Sequence, residues 1–336
     1  MSLSFKRINR RRKGQVNLSF VEVSVKNDQT GSLMNFMPRI LLIILGVVLL
    51  FLSCDSESEK QAHEYKSYVV VNGDTLHVTR YDNGVLSTVA YVDGDALSAQ
   101  GCAIKDNFLY RFYDRGYCKV FQIHDDYNLS YVKEFKLGSY RGGNHCNCAQ
   151  FDRETGLLYA SEFYQSKCNV ERISLESGTS ELIQEITIEK SEKLNFRYLN
   201  IVKGDDGYLW AMGGPTEGPE TLFFYKFNAP DLSKPRITLT DKDIVDSWTF
   251  EDGMYTQGGV VNDGYIYFLF GVASVQKKIL IFNTQNHNLV QLLNLDDVIL
   301  EEPEDIDFIG KKLIVTVNGS SAYYVINLME FLMKLK

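Results

Sequence analysis

The feature that most constrains this fold is a pattern that recurs five times between residues 100 and 331. Each copy has a first strand rich in small or polar residues, a tight turn, an aromatic strand, an alternating apolar strand and an amphipathic strand. The interval from the first strand to the apolar residue of the second stays between eight and eleven residues in every copy. Repeats of about 45 residues with four strands each are typical of β-propeller blades. In the first copy the pattern predicts strands at 101–105, 108–114, 117–124 and 131–137.

The fifth copy lacks an outer strand, whereas residues 67–92 (SYVVVNGDTLHVTRYDNGVLSTVAYV) offer strands around two Asn-Gly hairpin signals. An N-terminal strand that completes the last blade would close the ring and remove an exposed sheet edge. We therefore predict an all-β fold, a single β-propeller of four-stranded antiparallel blades closed by one or more N-terminal strands. Because three strands are on offer where one suffices, five blades are favoured and six remain open.

The segment PRILLIILGVVLLFLSC, residues 38–54, indicates where the chain is expected to go. Its 14-residue apolar run is shorter than the roughly 20 residues of a membrane-spanning helix, and a small residue precedes Cys54. This arrangement resembles a bacterial lipoprotein signal, with Phe51-Leu52-Ser53-Cys54 as the cleavage motif. The resemblance implies that Cys54 carries lipid. An uncleaved anchor helix is the alternative.

This assignment divides the chain into four parts. They are an upstream extension at 1–36, a signal peptide at 37–54, a flexible tether at 55–66 and the propeller domain at 67–336. Synthesis is then expected to start at Met34 or Met37. We expect the propeller to be lipid-anchored in the cell envelope, on the periplasmic or surface side of the outer membrane.

The charge balance restricts the partners. The chain carries 35 Lys and Arg against 43 Asp and Glu, and its first 54 residues hold eight of the bases but two of the acids. Residues 55–336 therefore have a net charge of about −14. Nucleic acids bind concentrated positive charge, so they are not expected partners. The expected partners are the membrane, through the lipid on Cys54, and an envelope protein or a glycan; the oligomeric state is left open.

Three short motifs at the starts of repeats add a resemblance to a known group. They are Asn144-His145-Cys146-Asn147 in the second repeat, Gln257-Gly258-Gly259 in the fourth and Glu302-Pro303-Glu304-Asp305 in the fifth. With these motifs the chain resembles the lipid-anchored β-propellers of Bacteroides-type bacteria, among the six-bladed, TolB-like or YVTN-like propeller families. Asp305 stands where that pattern more often has glycine. The resemblance implies a fold and an envelope location, and no particular activity.

The run His145-Cys146-Asn147-Cys148 could indicate a metal site, a disulfide or a nucleophile. Zinc needs converging ligands, but alternate residues of a strand point to opposite faces, which separates His145 from the two cysteines. A disulfide from Cys168 to one of them is an alternative in an exported chain. The five cysteines after Cys54 are an odd number, so at least one stays unpaired within the chain. We predict no metal site and no catalytic cysteine.

The first strands of propeller blades line the central channel, and the residues at their starts form one rim. These positions hold amides, one histidine, one arginine, one tyrosine and three carboxylates, a set suited to hydrogen-bonding a polar ligand. The candidate ligand-binding residues are Gln100, Asn144, His145, Asn147, Arg197, Tyr198, Gln257, Glu302, Glu304 and Asp305. We predict a non-catalytic, extracytoplasmic binding or protein-interaction module without a cofactor.

Three alternatives stay open. The first is a propeller hydrolase or lyase for an extracellular glycan or peptide, with Glu302 or Glu304 and His145 as acid and base. The second is a calcium site, because closely spaced carboxylates suit Ca²⁺. The third is a protein-docking surface on residues 241–255, which read as an insertion before the fourth blade and carry Trp248.

Overall fold

The computed structural model describes residues 2–9, 19–26, 63–82, 84–214, 221–251, 255–272, 274 and 276–335. The chain divides into two units, Met1–Glu59 and Lys60–Lys336. In the first unit, β1 (Ser2–Asn9) pairs antiparallel with β2 (Ser19–Lys26), a hairpin that the sequence patterns do not predict. The predicted signal at 37–54, with Cys54, lies outside the described residues. Among the described helices none is both long and apolar enough to cross a bilayer.

The second unit is a five-bladed β-propeller. Blade 5 combines both ends of this unit, in the order β23 (Glu302–Ile309), β24 (Lys312–Asn318), β25 (Ala322–Ile326), β4 (Asp74–Asp82) and β3 (His63–Val71). Blade 1 contains β5 (Val89–Val92), β6 (Asp95–Lys105), β7 (Phe108–Tyr113), β8 (Tyr117–Ile123) and β9 (Leu129–Lys136). Blade 2 contains β10 (Cys146–Phe151), β11 (Leu158–Glu162), β12 (Lys167–Ser174), β13 (Thr179–Ile188) and β17 (Arg236–Leu239). Blade 3 contains β14 (Tyr198–Lys203), β15 (Tyr208–Gly214), β16 (Leu222–Asn228) and β18 (Ile244–Phe250), and blade 4 contains β19 (Thr256–Asn262), β20 (Tyr265–Phe270), β21 (Lys278–Asn283) and β22 (Leu289–Asn294).

The ring is closed as predicted, by an N-terminal strand that completes the last blade. β4 pairs antiparallel with β25, from Ala322 opposite Asp82 to Ile326 opposite Val78. β3 adds an outer fifth strand, and it begins at His63, inside the segment assigned to the tether. β5, the third N-terminal strand, pairs with the start of β6 and forms no sixth blade.

The outer strand of blade 3 differs from the prediction. The third repeat predicts its outer strand at RITLT, residues 236–240; this segment, which contains β17, instead lies parallel to β13 at the edge of blade 2, with Arg236 opposite Glu185. Its place is taken by β18, so residues 241–255 are not an insertion. Trp248 of this strand stacks between Phe224, at 4.7 Å, and His287, at 4.1 Å between ring centroids. The proposed docking residue is therefore folded back onto blades 3 and 4.

Apolar clusters fill the interfaces between neighbouring blades. Tyr110 of blade 1 meets Phe151 of blade 2 with ring centroids 4.8 Å apart, and Tyr267 of blade 4 meets Phe308 of blade 5 at 4.9 Å. Each large side chain buried in this way stabilises the fold by about 1.5–3 kcal/mol. The helix α1 (Leu328–Leu335) packs onto the cluster between blades 4 and 5. These interfaces fix the five innermost strands around the channel.

Candidate ligand-binding site at the channel mouth

Four of the five innermost strands, all within the described residues, carry a β-bulge near their start. The bulges fall between Ala99 and Cys102, Cys146 and Cys148, Thr256 and Gly259, and Pro303 and Asp305. A bulge takes a residue out of the ladder and re-aims its side chain. The predicted binding residues inside the bulges are Gln100, Asn147, Gln257 and Glu304. We call this end of the channel, where the innermost strands begin, the channel mouth.

Two glycines beside these bulges let the innermost strands approach one another. A Cβ on Gly258 would lie 1.7 Å from Oδ1 of Asp305, and one on Gly101 would lie 2.6 Å from the carbonyl oxygen of Cys146. Only glycine fits at such distances. The Gln-Gly pairs at the starts of β6 and β19 thus combine a bulge residue with a close contact between blades.

Asp305 links three blades below the mouth. Its Oδ2 accepts hydrogen bonds from the backbone N–H groups of Cys102 (2.9 Å) and Ala149 (3.2 Å), in blades 1 and 2. The side chain is fully buried, and burial raises its pKa well above the ordinary value although these hydrogen bonds oppose the shift. The carboxyl oxygens of Asp305 are therefore already hydrogen-bonded to backbone N–H groups. The structure assigns it to the scaffold of the mouth.

Asp307 repeats this arrangement two residues further along β23. Its Oδ2 accepts a hydrogen bond from the backbone N–H of Ile104 at 2.6 Å. Burial raises the pKa of Asp307 to about 7, against the hydrogen bonds from Ile104 and Phe308. Sequence reasoning did not select Asp307, although an Asp-Ile-Asp run in a strand buried on both faces is a readable signal.

Glu304 and Arg111 form the charged part of the mouth. Both are buried, at 4% and 2% exposure. Burial raises the pKa of Glu304 to about 8; Arg111 opposes the shift and the carboxylate of Glu302 adds to it. Arg111 donates from Nη2 to the carbonyl oxygen of Val317 at 2.9 Å. Sequence reasoning missed Arg111 because it considered only the first strand of each blade, and Arg111 lies in the second. The signal that could have revealed it is a single charged residue between Tyr110 and Phe112.

Gln257 connects the bulge of blade 4 with Glu302, the first residue of β23 in blade 5. Its Nε2 donates to the carbonyl oxygen of Gly271 at 2.9 Å and to Oε1 of Glu302 at 3.3 Å. Its backbone carbonyl accepts a hydrogen bond from Nδ2 of Asn200, which belongs to the innermost strand of blade 3. Blade 3 has no bulge in its innermost strand, and Asn200 is the polar group that this blade contributes to the mouth. Sequence reasoning also missed Asn200.

Several buried side chains at this level keep an unpaired polar atom, and three of them are charged or amide groups on the strands of blades 1 to 3. Nη1 of Arg111, Nδ2 of Asn147 and Oδ1 of Asn200 have no hydrogen-bond partner among the described residues. Each comes from a different blade, and all three side chains are at most 3% exposed. A buried polar group without a partner costs about 1–3 kcal/mol, so such atoms usually bond to water or a ligand. The hydroxyl of Thr256, at the start of β19, also has no partner among the described residues, so the mouth holds two free donors, one free acceptor and one hydroxyl that can both donate and accept.

His145 stands at the edge of the mouth, apart from the cysteines that flank Asn147. Its Nδ1 lies 2.8 Å from Oδ1 of Asp114. The pKa of Asp114 is below its ordinary value: burial raises it, but the interaction with His145 and a hydrogen bond from the Ser98 N–H outweigh that effect. Asp114 was missed because it follows a strand as an ordinary turn residue.

An aromatic surface continues from His145. The ring of Tyr164 lies 5.1 Å from His145 and 5.0 Å from Phe163, and Phe163 stacks on Tyr198 at 4.6 Å. Tyr164 remains 63% exposed. We call these four residues, His145, Phe163, Tyr164 and Tyr198, the aromatic platform.

The remaining candidates lie beside the mouth. Asn144 is buried and donates from Nδ2 to Ser139, so it braces the loop before β10. Arg197 has an exposed side chain, and its backbone N–H donates to the carbonyl oxygen of Gly214 at 2.9 Å.

The cysteines are buried free thiols. Cys102, Cys118, Cys146, Cys148 and Cys168 form no disulfide in the described structure. Burial raises the pKa of each thiol above its ordinary value, which disfavours the nucleophilic thiolate. Within the described residues no three His, Cys, Asp or Glu side chains are placed to share a metal ion.

No protein-family model and no curated protein matches this chain. Among solved structures, a protein from Lactobacillus plantarum is similar with 13% identity and a TM-score of 0.39, over 76% of this chain and 75% of that chain. A glucose dehydrogenase-like protein from Thermus thermophilus has 11% identity and a TM-score of 0.41, over 75% and 99%. Kuenenia stuttgartiensis hydrazine synthase has 15% identity and a TM-score of 0.37, over 72% and 68%. The chain is thus defined by its own fold, a five-bladed β-propeller with a polar channel mouth.

Proposed function

We propose that this propeller is an extracytoplasmic, lipid-anchored binding module that holds a polar ligand at its channel mouth without chemical turnover. The observation that carries the proposal is the set of three unpaired buried polar atoms on Arg111, Asn147 and Asn200. They belong to three blades and lie on or beside the bulged segments, and buried polar atoms of this kind usually bond to water or a ligand. The lipoprotein-like segment at 37–54 supports the anchored, exported location.

The test uses residues 60–336, which include every strand of the propeller. This fragment is titrated with neutral and acidic oligosaccharides, muropeptides, short peptides, Ca²⁺ and Mg²⁺ by calorimetry. Gln257→Ala removes the amide that links two bulges, and we expect it to weaken binding about tenfold or more. Gln291→Ala, on the outer strand of blade 4, is the matched control and should bind normally. Binding by no compound, or equal affinity in the two variants, would overturn the proposal.

The runner-up is a propeller enzyme acting on a glycan or peptide. It is favoured by one observation, the pKa of about 8 that burial gives Glu304 beside the carboxylate of Glu302. A protonated and an ionised carboxyl at pH 7 are the pair that acid–base hydrolysis requires. The same compounds are therefore followed for turnover by chromatography. Hydrolysis that is lost in Glu304→Gln would replace the binding proposal with the enzyme.

A further inference from the structure

The chemical class of the ligand can be argued from the groups that the mouth leaves free. Nη1 of Arg111 and Nδ2 of Asn147 can only donate, whereas Oδ1 of Asn200 can only accept. A carboxylate or a phosphomonoester dianion offers only acceptors and would leave Asn200 unpaired. An ammonium group offers donors and would leave Arg111 and Asn147 unpaired. A hydroxyl group both donates and accepts, so a compound with several hydroxyls can satisfy all three.

The charges at the mouth also favour a neutral ligand. Arg111 and Arg197 supply two positive charges, and Asp114 and Glu302 supply two negative charges. Glu304 stays protonated at pH 7, because burial raises its pKa to about 8. The formal charges of these four side chains sum to zero, so the mouth as a whole carries no net charge that would call for a charged ligand.

Exposed aromatic rings lie close to His145 and Tyr198, at the edge of the mouth. Tyr164 is 63% exposed and Tyr255 is 60% exposed, and both lie close enough to affect the pKa of Tyr198 between them, which burial raises. An exposed tyrosine offers a flat apolar face with a polar tip. Such a face pairs with a ring that carries C–H groups on one side and hydroxyls around its edge. Exposed aromatic side chains beside a polar pocket also mark interaction sites more often than scattered apolar residues do.

We propose that the ligand is a neutral saccharide, with one sugar ring against Tyr164 of the aromatic platform and its hydroxyls bonded to Arg111, Asn147 and Asn200. This inference rests on the proposed function, since it names the ligand class of the same mouth. The platform sets the orientation of the sugar, and the three polar side chains, each from a different blade, read its hydroxyl pattern.

The probes are neutral disaccharides of the gluco, galacto, manno, xylo and N-acetylhexosamine series, with digalacturonate and choline as anionic and cationic comparators. Binding to residues 60–336 is measured by calorimetry and by saturation-transfer NMR. We expect at least one neutral disaccharide to bind, with its ring C–H protons receiving saturation. Tyr164→Ala should weaken that binding about tenfold, which corresponds to an aromatic contact, and Tyr164→Phe should restore most of it.

Tyr91→Ala is the control, because Tyr91 is 81% exposed on β5 and lies in no part of the platform. Binding of digalacturonate or choline in place of the neutral sugars would refute the saccharide and leave the mouth as a binding site. The same holds if only a peptide, a muropeptide or a divalent ion binds. If none of the probes binds, both the saccharide proposal and the proposed binding function are refuted. Equal sugar affinity in Tyr164→Ala and Tyr91→Ala would refute the role of the platform.

Discussion

At the residue scale, the mouth depends on a contact that tolerates no side chain. Gly258 faces Asp305, and an added Cβ would lie 1.7 Å from the carboxylate and 2.7 Å from the backbone Cα of that residue. Because the second distance involves backbone, a rotation of the Asp305 side chain cannot relieve it. The innermost strands of blades 4 and 5 would have to separate, which would also disturb the hydrogen bonds from Asp305 to blades 1 and 2.

Gly258→Ala is therefore expected to lower the free energy of unfolding by about 3 kcal/mol. Gly142→Ala is the matched control, since no described atom lies within 4 Å of its added Cβ and its φ is not in the left-handed region. Urea denaturation followed by circular dichroism compares the two. Unfolding of both variants at the same urea concentration would contradict the close contact.

The second prediction at this scale concerns pH. An unfolded glutamate loses its proton near pH 4.5, whereas folded Glu304 keeps it to about pH 8. Between these values the folded state binds the extra proton, so the free energy of unfolding falls as pH rises through this interval. Glu304→Gln removes that proton and should flatten the decline between pH 5 and 8. Asp307, whose pKa burial raises to about 7, acts in the same direction and leaves a residual slope.

Urea midpoints measured at half-unit steps from pH 5 to 9 provide the test. Glu181→Gln is the control, because Glu181 is exposed and should change the midpoints little at any pH. If Glu304→Gln and wild type lose stability in parallel over this range, the carboxyl of Glu304 is ionised in the folded protein.

At the element scale, the innermost strands are predicted well because the pattern that defines each of them lies within a short stretch of sequence. The residues Gln100, Asn147, Gln257 and Glu304 stand out as polar positions at the starts of apolar strands, and all four prove to be bulge residues. The outer strand of blade 3 was misassigned. Both β17 and β18 alternate apolar and polar residues, and local alternation cannot tell which distant strand each one will join.

The missed site residues have a related cause. Arg111 and Asn200 act across blade boundaries, through Val317 and Gln257 respectively. Their roles depend on the closed ring, which places blade 5 beside blade 1 and blade 3 beside blade 4. A repeat-by-repeat alignment compares equivalent positions and does not show which positions of different blades meet.

Ring closure yields the third prediction. β4 completes blade 5, and Arg80 within it donates from Nη2 to Oε1 of Glu301 at 2.6 Å. β3 pairs with the outer edge of β4 as a fifth strand, and blade 5 already has four strands without it. A chain that begins at residue 73 should therefore stay folded with a lower melting temperature. A chain that begins at residue 84 should lose cooperative unfolding, because the edge of β25 is then exposed.

Differential scanning calorimetry and size-exclusion chromatography compare both chains with residues 60–336. The chain from residue 73 is the internal control for shortening as such. A cooperative, monomeric chain from residue 84 would show that β4 is dispensable for the ring.

At the scale of the whole molecule, the five blades shield every cysteine of the propeller. All five thiols are buried and free, and they lie in the cores between blades or beside the channel. In native residues 60–336 we expect no rapid reaction with Ellman's reagent, and five thiols per chain after unfolding in guanidinium. The positive control is Ser177→Cys, because Ser177 lies at an exposed turn and a thiol there should react rapidly. A cysteine at the buried position Ser161 would not serve this purpose. Fewer than five thiols in the unfolded chain would reveal a disulfide.

The last prediction concerns the proposed lipid attachment of the chain to the cell envelope. If the segment at 37–54 is a lipoprotein signal, the mature chain begins at Cys54 and is attached by lipid alone. In a Gram-negative host the protein should incorporate labelled palmitate, and Cys54→Ala should abolish the label. Cys102→Ala is the control and should keep it, since Cys102 is buried in the propeller. An uncleaved anchor helix would give a different result: the wild-type chain itself would carry no palmitate, and its mass would include the residues before Cys54.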